Sequence, residues 1–394
     1  MSMDALKNHT PLPFNPVVDQ MVEATSIYIN QLVYDLKRRG EDVTTLSLGE
    51  AFFDIPLFDI TKLDVAKGFH YSESQGMPEL RDKIAGYYRK HYAAPVDGKS
   101  QVLISAGSKP IIFMAMLAAL TPGDEVLIYE PTWLSYAEQA RLCGAVPRFL
   151  PFDSPFEDLP NHFTDRTRMV ILCNPNNPAG RIYTAAELRQ VYEVCRPRGI
   201  YVLVDEAYSD FVLDDPFASM AAVVPDLDGV IVVNSLSKNM GISGWRIGYA
   251  ISSDRFIANL LKLNQHIVTC GPSLLLQYCN FYFDDIIAIT LPQVRLVVEK
   301  RKRVARMMDD LKLGRLGGSA TFYFFVSIGD FPGTSTEFAL KLLREKYIAV
   351  VPGVAYGAST DRFVRVSIGS ESEERIWEAL QVIKDLADAA APPA

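Results

Sequence analysis

Lys238 lies in the run Ser235-Leu236-Ser237-Lys238-Asn239-Met240-Gly241. It directly follows Gly229-Val230-Ile231-Val232-Val233-Asn234, an apolar segment that reads as a buried strand. An amine on the loop closing such a strand, flanked by hydroxyls and eight residues ahead of Arg246, can condense with an aldehyde. By itself, Lys238 reads more simply as a solvated loop lysine. Asp205 closes a second apolar run, Ile200-Tyr201-Val202-Leu203-Val204. A carboxylate at such a position is costly to ionise unless a cation faces it. A protonated pyridine nitrogen would be such a cation; an aspartate capping the next helix is an equally good reading. A third run, Cys173-Asn174-Pro175-Asn176-Asn177-Pro178-Ala179-Gly180, follows Met169-Val170-Ile171-Leu172, and Asn-Pro pairs ended by Gly are ordinary tight-turn chemistry. Three strand ends carrying Asn177, Asp205 and Lys238 in chain order nevertheless point to one site, because parallel sheets bind ligands at the carboxyl ends of their strands.

With N-P-x-N-P-x-G, then D-E-x-Y, then S-x-S-K and an arginine, the chain resembles the class I and II aminotransferases, pyridoxal-phosphate enzymes of fold type I. The similarity is greatest to the branch that holds the bacterial aspartate and aromatic aminotransferases, and it runs from about residue 40 to about residue 380. The resemblance implies pyridoxal 5'-phosphate as cofactor, held on Lys238 as a Schiff base. Asp205 would keep the ring nitrogen protonated, so that the ring acts as an electron sink. Tyr208 and Asn177 match the pair that hydrogen-bonds the phenolic oxygen. Gly107 and Ser108, in Ser105-Ala106-Gly107-Ser108-Lys109, match the phosphate-binding turn at a helix N-terminus, with Lys109 beside it and Ser235 and Arg246 as its hydroxyl and cationic partners. Trp133 matches the aromatic that stacks on the cofactor ring.

Tyr71 opens a stretch similar to the family's Y-x-x-x-x-G-x-x-x-L-R, whose tyrosine reaches the phosphate of the neighbouring subunit. That match implies a homodimer with shared sites. Arg365, in Phe363-Val364-Arg365-Val366-Ser367, matches the arginine that grips the substrate α-carboxylate, a task suited to its planar fork. Gly49 would be the backbone contact, with Asn177 alongside. The alternating pattern alone also fits an edge-strand arginine with no role.

These residues need a scaffold. From about residue 75 to 255, strands alternate with helical stretches, which predicts an α/β fold with a mostly parallel seven-stranded sheet wrapped by helices. The expected strands are 102–105, 125–129, 148–152, 169–173, 201–204, 230–233 and 247–251. An amphipathic helix is expected over 17–39, stopped by basic residues and Gly40, then a short strand over 46–50. Thr184-Ala185-Ala186-Glu187 reads as a capping box. Beyond 285, a long charged helix over 293–311 precedes strands at 321–328, 349–351 and 363–366. A second capping box at Ser370-Glu371-Ser372-Glu373 opens a last helix. The expected domains are 60–285, which binds the cofactor, and a discontinuous small α+β domain of 1–59 and 286–394. The tail 389–394 reads as disordered.

Composition narrows the partners. Lys and Arg against Asp and Glu leave 39 − 47 = −8, which argues against nucleic acid or an anionic membrane. With 49% hydrophobic and 22% charged residues, the chain is ordinary for a soluble globular protein. The five cysteines are scattered without CxxC spacing, and four of them read as core residues. The five histidines show no HExxH, so no metal is expected. Met1-Ser2-Met3-Asp4-Ala5-Leu6-Lys7 holds no signal-peptide core and no 18-residue apolar run occurs, so the cytoplasm is the expected compartment.

Two features bear on substrate, one a departure from the family pattern and one a match to part of it. Where the family reads G-E-P-D-F-D-T-P, this chain has Gly49-Glu50-Ala51-Phe52-Phe53-Asp54-Ile55-Pro56, which removes a rigid proline and a charge and makes the lip more apolar. Lys109 resembles the lysine that faces the distal carboxylate in aspartate-using members, whereas Phe52, Phe53 and Tyr136 offer surface for an aromatic side chain. The reading is therefore a 2-amino acid:2-oxo acid aminotransferase using an acidic or aromatic amino acid. A β- or γ-elimination or replacement on the same fold would use the same residues. A non-catalytic effector-binding module would have no use for an intact Lys238–Asp205–Arg365 set.

Overall fold

The computed structural model of the chain describes residues 12–389. It opens with α1 (Pro16–Asp19), α2 (Thr25–Arg38) and β1 (Thr44–Thr45). The alternating part holds α3 (Pro78–Tyr92), β2 (Val102–Ser105), α4 (Ser108–Ala119), β3 (Glu125–Tyr129), α5 (Ser135–Leu142), β4 (Val146–Leu150), β5 (Thr167–Cys173) and α6 (Ala185–Cys195). It continues through β6 (Tyr201–Asp205), α7 (Met220–Val223), β7 (Val230–Ser235), α8 (Leu236–Asn239), β8 (Gly248–Ser252) and α9 (Asp254–Ile267). α10 (Ser273–Asp310) leads to β9 (Tyr323–Ser327), α11 (Ser335–Lys346), β10 (Ile348–Ala349), β11 (Val351–Pro352), β12 (Phe363–Ser367) and α12 (Glu373–Ala387).

The large sheet has the order β2-β8-β7-β6-β5-β3-β4. All its pairings are parallel except those of β8, which runs antiparallel to both β2 and β7. Helices cover both faces, so the middle strands read as unbroken apolar runs rather than as alternation; Val202, Leu203, Val204, Ile231, Val232 and Val233 are all fully buried. One apolar cluster lies under α3, α6 and the first half of α10, and another under α4, α5 and α9. A third unites Leu46, Val294, Val298, Phe322, Phe324, Val366 and Leu380 around the antiparallel sheet β11-β12-β9. Among the described residues, no helix is long and apolar enough to cross a membrane.

Several boundaries differ from expectation, each for a visible reason. The helix expected over 17–39 is two helices. Asn15 caps α1, and the chain leaves helical form after Asp19, so Val18 and Val22 are exposed while Ile29 and Val33 carry the packing of α2. The strand expected over 46–50 pairs only at Thr44 and Thr45, with β10. Beyond that point the segment is held by Ser367 N–H on Leu46 O and by side chains on later carbonyls. β4 lies two residues earlier than 148–152, because its register follows β3 from Glu125↔Val146 to Tyr129↔Leu150.

The long helix begins at Ser273, not 293. Its first turns bury Leu276, Cys279, Phe283 and Ile287 in the core, which hides the helical period, and Pro292 is carried within it. Residues 349–351 divide between β10 and β11, which belong to different sheets. The second capping box does not form: Ser372 caps α12 by accepting from Arg375 N, while the Glu371 carboxylate accepts from Thr45 N. The Thr184–Glu187 box is present at α6. Residues 1–7 and 390–394, on which the signal-peptide and tail readings fell, lie outside the described residues.

Candidate active site

The carboxyl ends of β2, β5, β6 and β7 open onto one cleft of about 410 Å³. Ser108, Lys109, Trp133, Asn177, Asp205, Tyr208, Ser235, Lys238 and Arg246 all line it, so most of the residues picked from the sequence meet in one place. Gly49, Gly107 and Arg365 border it through the contacts below. Tyr71 does not meet them within this chain; it is 86% exposed.

Lys238 sits on the one-turn helix α8, directly after the buried strand β7. Its Nζ donates to Gly49 O at 2.6 Å and lies 5.8 Å from the centre of the Tyr208 ring. Burial pulls its pKa down to about 8, opposed by the nearby carboxylates of Glu50 and Asp205. The amine is therefore partly neutral, and nucleophilic, near neutral pH.

Asp205 ends β6 and is buried. Burial raises its pKa, and two hydrogen bonds to the anion oppose that rise: Tyr136 OH donates to Oδ2 at 2.7 Å, and Ala207 N–H to Oδ1 at 3.1 Å. One oxygen thus closes the local turn, as the capping reading expects, and the carboxylate also faces the cleft. Tyr136 was expected as apolar substrate surface. It is instead fully buried beneath Trp133, with ring centres 5.2 Å apart. Phe53 is likewise withdrawn, packed on Phe211 and over Gly241, and Phe52 points to solvent at 66% exposure. None of the three lines the cleft.

Arg365 lies on the central strand of its sheet, not at an edge, and is buried. Its Nη2 donates to Ser47 O at 2.7 Å and its Nη1 to Asn177 Oδ1 at 3.4 Å. The guanidinium lies over the Tyr323 ring at 4.4 Å and the Tyr356 ring at 5.5 Å. Its Nε is buried without a partner, the kind of orphan donor that a bound carboxylate would satisfy. Tyr208 OH and Tyr323 OH share a hydrogen bond of 2.8 Å.

The far end of the cleft suits a phosphate. Ser108 opens the 12-residue α4, and Ser235, Ser243 and Arg246 gather around its N-terminus. Two glycines make the approach possible. Gly107 has φ +98°, and a Cβ there would stand 2.6 Å from Arg246 Nη2; a Cβ on Gly248 would stand 2.2 Å from Ser108 N. A partly buried lysine amine, a buried aspartate, an orphaned arginine edge and a glycine-cleared cradle fit pyridoxal phosphate and an amino acid. Lys109 is exposed at the edge of the cleft, its Nζ 4.9 Å from the Trp133 ring centre. Loss of hydration on its protein side, then Arg246, hold its pKa below the ordinary lysine value.

Sequence reasoning missed Tyr323, Tyr356, Ser243 and Glu50, whose carboxylate accepts from Ser243 Oγ. Cys173, read as a core residue, borders the cleft. Only Glu50 and Ser243 carried a signal, being polar residues inside the motifs.

One prediction follows from the Asp205 contacts. Tyr136→Phe removes a donor that stabilises the Asp205 anion, so the Asp205 pKa should rise. A single such bond to a charged group is worth about 1.5 kcal/mol, or about one pKa unit. The acid limb of kcat/KM should therefore move upward by up to about one unit, with far-ultraviolet circular dichroism unchanged. An unmoved acid limb would dismiss the link.

Comparison with known proteins agrees with this geometry. The family described as "Aminotransferase class I and II" matches residues 59–383. The probable aspartate/prephenate aminotransferase of Aquifex aeolicus is 31% identical, over 93% of this chain and 96% of its own. Aromatic-amino-acid aminotransferase 2 of Thermococcus litoralis is 28% identical, over 88% of this chain and 92% of its own. The solved structure of aspartate aminotransferase from Thermus thermophilus with maleate superposes with a TM-score of 0.86 at 26% identity, covering 95% of this chain and all of that one. The chain therefore belongs to the class I and II aminotransferases and is a pyridoxal-phosphate-dependent transferase of fold type I.

Proposed function

We propose that this aminotransferase acts on L-amino acids with an acidic side chain, admits aromatic ones, and passes the amino group to a 2-oxo acid. The observation that carries the proposal is the placement of Lys238, Asp205 and Arg365 around one cleft with the Lys109 ammonium at its edge. With Phe52, Phe53 and Tyr136 all drawn away, Lys109 is the lining group best able to tell one side chain from another. Trp133 and Ile27, which also line the cleft, leave an apolar wall for an aromatic ring. The relatives described above divide between aspartate and aromatic donors, and the Thermus thermophilus structure carries a dicarboxylate. Elimination or replacement is not favoured by these relatives.

The residues take the following roles in the proposal. Gly107, Ser108, Ser235 and Arg246 hold the cofactor phosphate; Trp133, Asn177 and Tyr208 hold its ring; Asp205 faces its ring nitrogen. When bound, the cofactor supplies an aldehyde carbon and a conjugated ring that takes up the electron pair left at the substrate Cα. Arg365 grips the α-carboxylate, with Asn177 and the Gly49 backbone beside it. Lys238 Nζ, desolvated and partly neutral, takes the proton from Cα. Gly49 O and the Glu50 carboxylate keep that amine oriented, and the walls of Tyr208, Tyr323 and Trp133 exclude water. Tyr71, exposed in one chain, completes the phosphate site of a second in a homodimer. The division into 60–285 and the two outer segments belongs to the same proposal, with α10 crossing it near the non-helical turn at Tyr282. So does the cytoplasm as compartment, which rests on the sequence alone.

Lys238→Ala should abolish detectable transamination, and borohydride reduction should attach the cofactor to Lys238 and to no other lysine. In apoprotein, the rate of cofactor capture should rise with pH through about 8, since only the neutral amine reacts and burial has lowered its pKa to that value. A rate flat from pH 6 to 9 would refute the assignment. Lys109→Ala should raise KM for aspartate or glutamate by about tenfold, the loss of roughly 1.5 kcal/mol from one charged hydrogen bond, while phenylalanine changes by less than about twofold. Equal losses for both classes would remove Lys109 from specificity. Mixing Tyr71→Phe, weakened by loss of the phosphate contact, with inactive Lys238→Ala should raise activity above that of Tyr71→Phe alone through hybrid dimers in which one site is intact; failure to complement after proven subunit exchange would rule out shared sites.

A further inference from the structure

On the side of the molecule formed by α3 and α10, a groove of about 470 Å³ runs between the two helices. Its size falls within the roughly 300–1,000 Å³ of small-molecule sites. The floor is apolar, formed by the buried rings of Tyr87 and Phe283 with Ile287 between turns of α10. The rim is cationic. Lys83, Lys90 and Arg295 line it against one lining carboxylate, Asp284, which is paired with Lys83 at 3.2 Å. On a chain of formal charge −8, this local excess of positive charge is opposite in sign to the molecule as a whole. The groove shares no lining residue with the active-site cleft.

We propose that this groove is a second binding site, for a small amphipathic anion: an apolar, ring-bearing body on the floor and one carboxylate between Lys90 and Arg295. Its occupancy has a route to Lys238. The Tyr87 hydroxyl donates to Asp210 Oδ1 at 2.7 Å, and Asn239 Nδ2 donates to Asp210 Oδ2 at 2.8 Å. Asn239 is the residue after Lys238 on the four-residue α8, so whatever shifts the Tyr87 ring bears on the helix that carries the amine. Tyr92 OH also donates to Asp210 Oδ1, at 2.5 Å, which leaves that carboxylate little freedom to absorb a movement of Tyr87.

The test uses indole-3-propionate, titrated calorimetrically into cofactor-loaded enzyme. To separate the groove from the active site, binding is measured in an Arg365→Ala background, which removes the proposed grip on carboxylates there. Saturable binding should persist in that background. It should weaken about tenfold or more when Lys90→Glu and Arg295→Glu reverse the rim, and also when Ala288→Trp fills the groove without changing its charge. In the same Arg365→Ala background, the probe should shift the pH midpoint of the cofactor's visible absorbance, and Tyr87→Phe should abolish the shift while keeping the binding. Absence of binding in the Arg365→Ala background would overturn the site, as would indifference to both groove variants. A changed oligomeric state in the rim variant would assign the groove to a contact between chains and would equally overturn it. Binding without any shift would overturn the coupling to Lys238.

Discussion

Two cations drawn into the interior, Lys238 partly buried and Arg365 fully so, organise this molecule. Lys238, at the end of β7, and Arg365, in the middle of β12, both lose hydration, and neither is ion-paired among the described residues. A buried charge without acceptors is expensive, so the chain must supply oxygen atoms where the cations point. It does so from one extended stretch: Ser47 O takes Arg365 and Gly49 O takes Lys238. Residues 44–50 thus act as a clip between the large sheet and the antiparallel sheet. That explains why a segment with strand-like sequence forms only two ladder residues. Its next carbonyls are committed elsewhere, Leu46 O to Ser367 N–H and Ser47 O and Gly49 O to side chains.

The carboxylates answer the same constraint in a different way. Asp205 and Glu206 are adjacent, both buried, and both pushed upward by desolvation, Glu206 to about 8. They serve different sides of the chain. Asp205 faces the cleft and is steadied by Tyr136 and Ala207, whereas Glu206 faces the core and accepts from Ser219, Met220 N and Tyr88. Successive residues of an extended chain point to opposite sides, so one acid faces the cleft while its neighbour is absorbed by the core. The cleft is in this sense a place where polar groups are only half satisfied by the protein. Arg365 Nε is the clearest case, and such partial satisfaction is what a ligand relieves.

Much of the fold was legible because it rests on local chemistry. The apolar runs read as strands at 201–204 and 230–233, the Thr184 capping box and the glycine at 107 each state their conformation within a few residues, and the structure forms them to within two residues of that reading. Residues that failed to announce themselves act through distant neighbours. Nothing around Tyr136 indicates that its hydroxyl meets an aspartate 69 residues away, and Tyr323 meets Tyr208 across 115 residues. The same blindness assigned Phe53 and Tyr136 to substrate surface, since an apolar side chain says nothing by itself about which cavity it will fill.

What the sequence alone determined was the chemistry on offer: a lysine, an aspartate and an asparagine at three strand ends, a glycine-cleared turn before a helix, and an arginine in a distant strand. It also determined the alternation of strands and helices that sets those ends side by side, because hydrophobic period and turn residues act over short range. Only the tertiary structure decided which carbonyls neutralise the two cations, and that Arg365 stands on a central strand. It also decided which aromatics wall the cleft and which retreat from it. Those outcomes depend on packing between segments hundreds of residues apart, where burial and charge compensation are settled jointly and no single stretch of chain carries the answer.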